Sequence, residues 1–254
     1  LDMDILRTEN MTKSFGGVVA NNNLSIGIPE GKITALIGPN GSGKTTFINV
    51  VTGVHPITSG KVYFKDRDIS GLDVNVISRM GIARTFQKIR LFENLSVIEN
   101  VLVARKPFYK SGPISVVLNT PKFKREERDN REKALELLKL VGLEDKAYDS
   151  PTGMAYGLRR CLEIARALAL EPQLLFLDEP AAGMTRDEFK VIMDLIIILK
   201  ERGITTLLVE HTMDFIKAVA DWVYVLNFGQ VIAQGKFEEI ERDPLVLKAY
   251  LGEE

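Results

Sequence analysis

The chain has little cysteine, tryptophan or histidine: one, one and two residues in 254. A single thiol, Cys161, excludes an intramolecular disulfide and leaves no thiolate set for a zinc site, which suits a reducing compartment. Long hydrophobic runs are missing too. The most apolar stretch, residues 191–199, is interrupted by Asp194 and falls far short of the ~20 residues that cross a bilayer. Residues 1–10 read as a charged, strand-like segment rather than a secretory leader. Charge of one sign is not in excess. Lys and Arg number 33 against 34 Asp and Glu, a net charge of -1, so no global field draws the chain to nucleic acid or an anionic membrane, and no nucleic-acid partner is expected. Repeats and low-complexity tracts are not seen. The chain is 45% hydrophobic and 26% charged, an ordinary globular balance, and long enough for one large domain or a core with a smaller subdomain.

The first third is strand-like. Residues 5–13, 24–28, 33–37 and 61–65 have strand character, separated by turn chemistry such as Pro29-Glu30-Gly31. Residues 45–51 read as a helix that stops near Gly53 and Pro56. After Gln87 the pattern turns helical. Residues 96–104 carry Ser96 as N-cap with Glu99 three positions on, and residues 107–121, with three prolines, read as a loop. Residues 122–141 form a long helix whose apolar stripe is Ala134, Leu137, Leu138 and Val141, with a charged, solvated front half. Helices are expected over 158–170, 187–200 and 214–220, strands over 174–177 and 204–209, and a hairpin over 222–227 and 231–233. Strands alternating with helices imply an α/β core with a mostly parallel sheet, and the early strands an antiparallel β layer beside it. The expected division is a core of residues 1–87 and 153–254, with residues 88–152 as a helical subdomain.

The chemistry is concentrated in a few short segments. Gly38-Pro39-Asn40-Gly41-Ser42-Gly43-Lys44-Thr45 follows a buried-strand pattern and opens a helix. A triphosphate needs several donors converging on its oxygens. Glycines let backbone N–H groups approach, the helix adds its positive end, Lys44 offers a mobile cation for the β and γ phosphates, and the Thr45 hydroxyl can ligate Mg²⁺. The apolar run Leu174-Leu175-Phe176-Leu177 ends in Asp178-Glu179. The first carboxylate can hold Mg²⁺ through water, and the second, turned into the site at the strand end, can polarise an attacking water. His211 follows another apolar strand and can reach a γ-phosphate. Gln87 stands where strands give way to helices and can contact Mg²⁺ or the water.

Taken in order, these segments resemble an ABC-type ATPase, a P-loop NTPase, over nearly the whole chain. The resemblance implies a Walker A loop from Gly38 to Thr45 followed by Thr46, a Q-loop glutamine at Gln87 and a Walker B strand ending at Asp178. It also implies Glu179 as catalytic base, His211 as switch histidine and Phe15 as the aromatic that stacks on adenine. Against the family's Leu-Ser-Gly-Gly-Gln signature this chain has Met154-Ala155-Tyr156-Gly157-Leu158, in which Gly157 alone matches. Thr185 stands where many members carry an aspartate. Ala155-Tyr156-Gly157 with Arg160, Leu162 and Glu163, the run Glu179-Pro180-Ala181-Ala182-Gly183-Met184 and the tail from Asn227 to Gly235 are similar to the ATPases of branched-chain amino-acid importers.

The resemblance implies ATP and Mg²⁺ as ligands. It implies a homodimer, or a heterodimer with a related ATPase subunit, closed by ATP, with each copy's Gly157 segment completing the other's site. Separate transmembrane permease subunits would dock near Gln87, with the chain peripheral on the cytoplasmic face of the membrane. Two other readings are an ABC ATPase uncoupled from transport, acting on nucleic acid, ribosomes or cluster assembly, and a small-molecule P-loop kinase. One glycine loop, no sustained heptads and balanced charge count against the former. The carboxylate pair with His211 counts against the latter.

Overall fold

The computed structural model describes residues 3–251, which fall into two compact units. The first holds residues up to Arg84, Gln173–Ala182 and the chain from Ile196 onward; the second holds Thr85–Pro172 and Gly183–Leu195.

The first unit carries two sheets among the described residues. Strands β1 (Asp4–Phe15), β2 (Val18–Leu24) and β3 (Gly27–Pro29) lead to β4 (Ile33–Ile37), which the glycine loop joins to helix α1 (Lys44–Val51). Next come β5 (Ser59–Phe64), β6 (Arg67–Asp68), α2 (Val74–Arg79) and β7 (Ile82–Arg84). The antiparallel sheet runs β2-β1-β5-β6, with β3 also paired to β1. The expected single strand over residues 24–28 is instead two. The chain crosses from β2 to β3 around Thr8, whose hydroxyl donates to the Leu24 carbonyl at 3.0 Å and accepts from the Ile26 N–H at 3.0 Å.

The second unit begins with α3 (Val97–Ala104), α4 (Pro113–Val117), α5 (Pro121–Leu140) and α6 (Tyr156–Leu168). The capping box read at Ser96 and Glu99 is formed in both directions. The loop expected over residues 107–121 contains a 3-10 turn at Lys106–Phe108 and the helix α4. Pro107 and Pro113 sit in the first turns of these segments, where a fixed φ and a missing N–H cost nothing. Thr120 caps α5 with Pro121 in its first turn, and Ala134, Leu137 and Leu138 are buried as the stripe predicts.

The chain then supplies β8 (Leu174–Asp178), α7 (Arg186–Glu201), β9 (Thr205–Val209), α8 (Met213–Val219), β10 (Trp222–Asn227), β11 (Gln230–Gly235), α9 (Phe237–Ile240) and α10 (Pro244–Leu251). The second sheet of the first unit is ordered β11-β10-β4-β9-β8-β7, parallel except for β11. Strands β4, β8 and β9 are buried at every position, so their sequences are mostly apolar, with the exceptions Thr34, Asp178, Thr205 and Thr206, and lack the alternation of a half-exposed strand. Strand β4 lies between β9 and β10, and α1 leaves its carboxyl end, the place where open α/β sheets bind ligands. Phe47 on α1 is fully buried in the cluster that joins Leu36, Phe176, Leu207 and Leu226.

Phe47→Ala removes a ring from this cluster beneath the glycine loop. It is expected to lower stability by about 3–5 kcal/mol, read as a fall in the urea midpoint with an unchanged m-value.

Candidate functional site

The glycine loop is shaped by main chain from distant segments. At Gly38, φ is +148°, and a Cβ would lie 2.1 Å from the Leu226 carbonyl oxygen of β10. At Gly43, φ is +104°, and a Cβ would lie 2.5 Å from the Ala20 carbonyl and from Asn21 Nδ2 of β2. Both positions therefore require glycine for close approach as well as for backbone angle. Gly41, at φ +80°, faces open space. Asn21 is fully buried and donates from Nδ2 to the Gly43 carbonyl at 3.1 Å. From the β10–β11 turn the Gly229 N–H donates to the Ser42 carbonyl at 3.0 Å.

Lys44 Nζ donates to the carbonyls of Gly38 at 2.7 Å and Pro39 at 2.9 Å. Burial holds its pKa below the ordinary lysine value, against the opposite pull of the Glu179 and Asp178 carboxylates. The ammonium is thus partly stripped of water and aimed along the loop, where phosphate oxygens can replace its carbonyl partners. Thr45 is exposed and Thr46 half-buried at the first turn of α1.

Asp178 closes β8 and is 4% exposed, with Arg84 Nη2 3.8 Å from its Oδ2. Arg84 is in turn held by Asn49 Oδ1 at 2.7 Å and Thr52 Oγ1 at 3.3 Å, both from α1 and its end. Glu179 takes φ +48°, a left-handed backbone that is uncommon outside glycine and asparagine. Its N–H donates to the Val209 carbonyl at 2.8 Å, so the turn away from the strand is pinned to β9. His211 follows β9 with its side chain 59% exposed. The preceding residue, Glu210, is 1% exposed, and its carboxylate accepts from the N–H groups of Ala181 and His211. Phe15, at the end of β1, is 44% exposed, with His55 edge-on at 5.3 Å and Lys13 Nζ 4.7 Å from the ring centroid.

Two of the expected site residues lie in the second unit. The carbonyl of Gln87 accepts from Arg160 Nη2 at 3.1 Å. The same guanidinium, fully buried, donates to the Phe86 carbonyl at 2.8 Å and pairs with Glu163 Oε2 at 2.6 Å, while Glu163 Oε1 accepts the Phe86 N–H at 3.2 Å. Burial raises the Glu163 pKa, and Arg160 pulls it down. This pair fixes the backbone that presents Gln87. Gly157 stands in the first turn of α6, and its N–H donates to Glu188 Oε1 at 2.8 Å. Glu188 Oε2 also accepts the N–H of Thr185 at 3.0 Å. A side chain at Gly157 would collide with Glu188, whose Cγ lies 2.8 Å from the Cβ position.

Asn21, Arg84, Arg160, Glu163 and Glu210 position the groups named from sequence without belonging to a phosphate-binding motif. Arg160 and Glu163 are among the residues that carry the resemblance, whereas nothing in the sequence singles out Asn21, Arg84 or Glu210. Beside the glycine loop, Pro39 to Ser42, Asn227, Phe228, Ile232 and residues of α10 line a cavity of about 520 Å³. Tyr250 on α10 contacts the Gly38 backbone, and burial pushes its hydroxyl up to about 12.

Among known proteins, residues 21–182 match the family model described as ABC transporter, and residues 230–254 match that described as branched-chain amino acid ATP-binding cassette transporter. The chain is 42% identical to the high-affinity branched-chain amino acid transport ATP-binding protein LivG of Salmonella typhimurium, with 100% of both chains covered. It is 40% identical to BraF of Pseudomonas aeruginosa, with 98% of each covered. In structure it is similar to the ADP conformation of MJ1267, an ATP-binding cassette of an ABC transporter, with a TM-score of 0.87, 35% identity, and 99% and 100% of the two chains covered. It is also similar to the dimeric cassette MJ0796, with a TM-score of 0.76, 27% identity, and 91% and 98% covered.

Gly38→Ala drives a methyl into the Leu226 carbonyl, whereas Gly41→Ala meets only backbone strain of about 1–2 kcal/mol. Gly38→Ala is expected to show the larger fall in Tm and the larger loss of fluorescent-nucleotide binding. Equal effects would show that the loop does not press on β10.

Proposed function

The chain belongs to the ABC transporter family and is an ATPase, and from that premise we propose that it powers uptake of branched-chain amino acids through separate membrane subunits. For the reaction, the observation that carries the reading is the placement of Asp178 and Glu179, whose charges act on Lys44. For the solute, it is the 230–254 match together with 40–42% identity to the transport proteins LivG and BraF over nearly all of the chain.

In this reading the amides of residues 40–46 and Lys44 orient the β and γ phosphates, and Phe15 stacks on adenine. Glu179 aligns the attacking water, and His211 contacts the γ-phosphate. Phosphoryl transfer asks for positioning and charge neutralisation rather than covalent chemistry, which this donor set supplies. For a magnesium ion the first unit offers two groups of fitting chemistry, the exposed Thr45 hydroxyl at the start of α1 and the buried Asp178 carboxylate at the end of β8, and the resemblance adds Gln87. Among the described residues no three His, Cys, Asp or Glu cluster into a metal cage, which suits a cation held largely by phosphate and water. Bound Mg²⁺ would supply charge neutralisation for the phosphates.

Two copies, or this chain and a related subunit, would close on ATP, each presenting its Gly157 segment to the other's nucleotide. Permease subunits would dock near Gln87, placing the chain on the cytoplasmic face of the membrane. No helix among the described residues is long and apolar enough to cross a membrane.

Glu179→Gln keeps the shape and removes the charge. It is expected to bind ATP, to dimerise with it on size exclusion, and to hydrolyse it at least about 100-fold more slowly. Full turnover by this variant would remove Glu179 from the role of base. Purification from solubilised membranes is expected to bring down hydrophobic permease subunits, and the complex in liposomes to take up leucine, isoleucine or valine with ATP inside. Co-purification with nucleic acid and no membrane subunit would favour an ATPase uncoupled from transport.

A further inference from the structure

Glu210 is a carboxylate at 1% exposure, on the last turn of chain before the switch histidine. A buried carboxylate is tolerated only where hydrogen bonds replace its water. Here backbone N–H groups do so, and they come from two different loops. Oε1 accepts from Ala181 at 3.0 Å, in the loop that follows Glu179. Oε2 accepts from His211 at 3.1 Å and lies 3.5 Å from the Thr212 nitrogen. His211 Nδ1 is 3.9 Å from the same oxygen, too far for a hydrogen bond. The side chain thus holds the backbone of the histidine and leaves its imidazole outward.

We propose that Glu210 is a positioning residue that ties the Glu179 loop to the His211 loop, one carboxylate oxygen for each, so that the water-aligning and phosphate-contacting groups are set together. The inference rests on the roles given above to Glu179 and His211. The two loops leave neighbouring parallel strands, β8 and β9, paired as far as Asp178 and Val209. At that pair the Glu179 N–H donates to the Val209 carbonyl. Glu210 supplies the next link across the same gap. One carboxylate thus joins the two loops through hydrogen bonds of 3.0 and 3.1 Å, each held on its own oxygen. A displacement of the His211 backbone by a bound γ-phosphate moves Oε2, and the rigid carboxylate carries the motion to Ala181, two residues from the base. Neither oxygen needs to touch nucleotide.

Glu210→Gln separates the two loops, because an amide offers one accepting oxygen where two are used. Expected is a fall in kcat of about tenfold or more with KM for ATP changed less than about twofold, since ground-state binding depends on the glycine loop. In a double-mutant cycle, adding Glu210→Gln to His211→Ala should slow turnover by less than about twofold beyond His211→Ala alone. Amide hydrogen exchange in residues 179–182 should quicken, a readout independent of turnover. A raised KM at unchanged kcat, additive losses, or unaltered exchange would each overturn the proposal. If Glu210→Gln does not fold, Glu210→Asp, which keeps both oxygens but shortens their reach, is read by the same three measures. Glu179→Gln and His211→Ala run in parallel separate the two levels. Wild-type turnover by both of these would sink the underlying assignment, whereas their loss with an unaffected Glu210 variant would sink only this link.

Discussion

The phosphate loop exists only because main chain from elsewhere is pressed against its glycines. The carbonyl of Leu226 fills the space where Gly38 would carry a Cβ, and Ala20 with Asn21 does the same at Gly43. The Gly229 amide and the Asn21 side chain add one hydrogen bond each to loop carbonyls. Individually such bonds contribute about 1 kcal/mol, whereas a side chain forced into either contact requires the backbone to move. Steric closeness therefore dominates, and it is non-local. In the folded chain the loop's shape is held by β2, β10 and the β10–β11 turn.

The same logic extends along the sheet. Parallel pairing brings the ends of β4, β8 and β9 to one edge, so Lys44 is partly dehydrated where the carboxylates of Asp178 and Glu179 act on it and oppose the effect of burial. Arg84 leaves β7 at the same edge and joins Asp178 to Asn49 and Thr52 of α1. The left-handed turn at Glu179 is strain of a kind that persists only where surroundings over-determine it, and the Val209 carbonyl and the Glu210 carboxylate flank that turn.

In the second unit, buried polar side chains shape the backbone that carries the site residues. Arg160 and Glu163 hold Phe86 and Gln87, and Asn100 satisfies both the N–H and the carbonyl of Phe92. Gly157 has its amide engaged by Glu188 of the same unit, which also caps the start of α7. The departure from the family's signature is therefore not a bare helix end. The amide of its one matching glycine is already satisfied by a carboxylate from within the chain.

From the sequence alone came what depends on short-range chemistry. The run Ile33 to Ile37 is a buried strand because five successive residues avoid exposed polarity. Ser96 and Glu99 cap a helix because their side chains reach the first free amides. The glycine loop, Asp178-Glu179 and His211 stood out as candidates for ATP chemistry because their residue types and order suit phosphate and water. The split of residues 18–29 into two strands around Thr8, and the helical turns within residues 107–121, escaped the pattern because one hydroxyl and two prolines outweighed local propensity. The tertiary structure alone decided which polar residues serve the site. Asn21, Arg84 and Glu210 are ordinary in sequence and acquire their meaning from partners 22 to 35 positions away. A hydrogen bond is decided by distance and angle in space, and residue identity supplies only the donor and the acceptor.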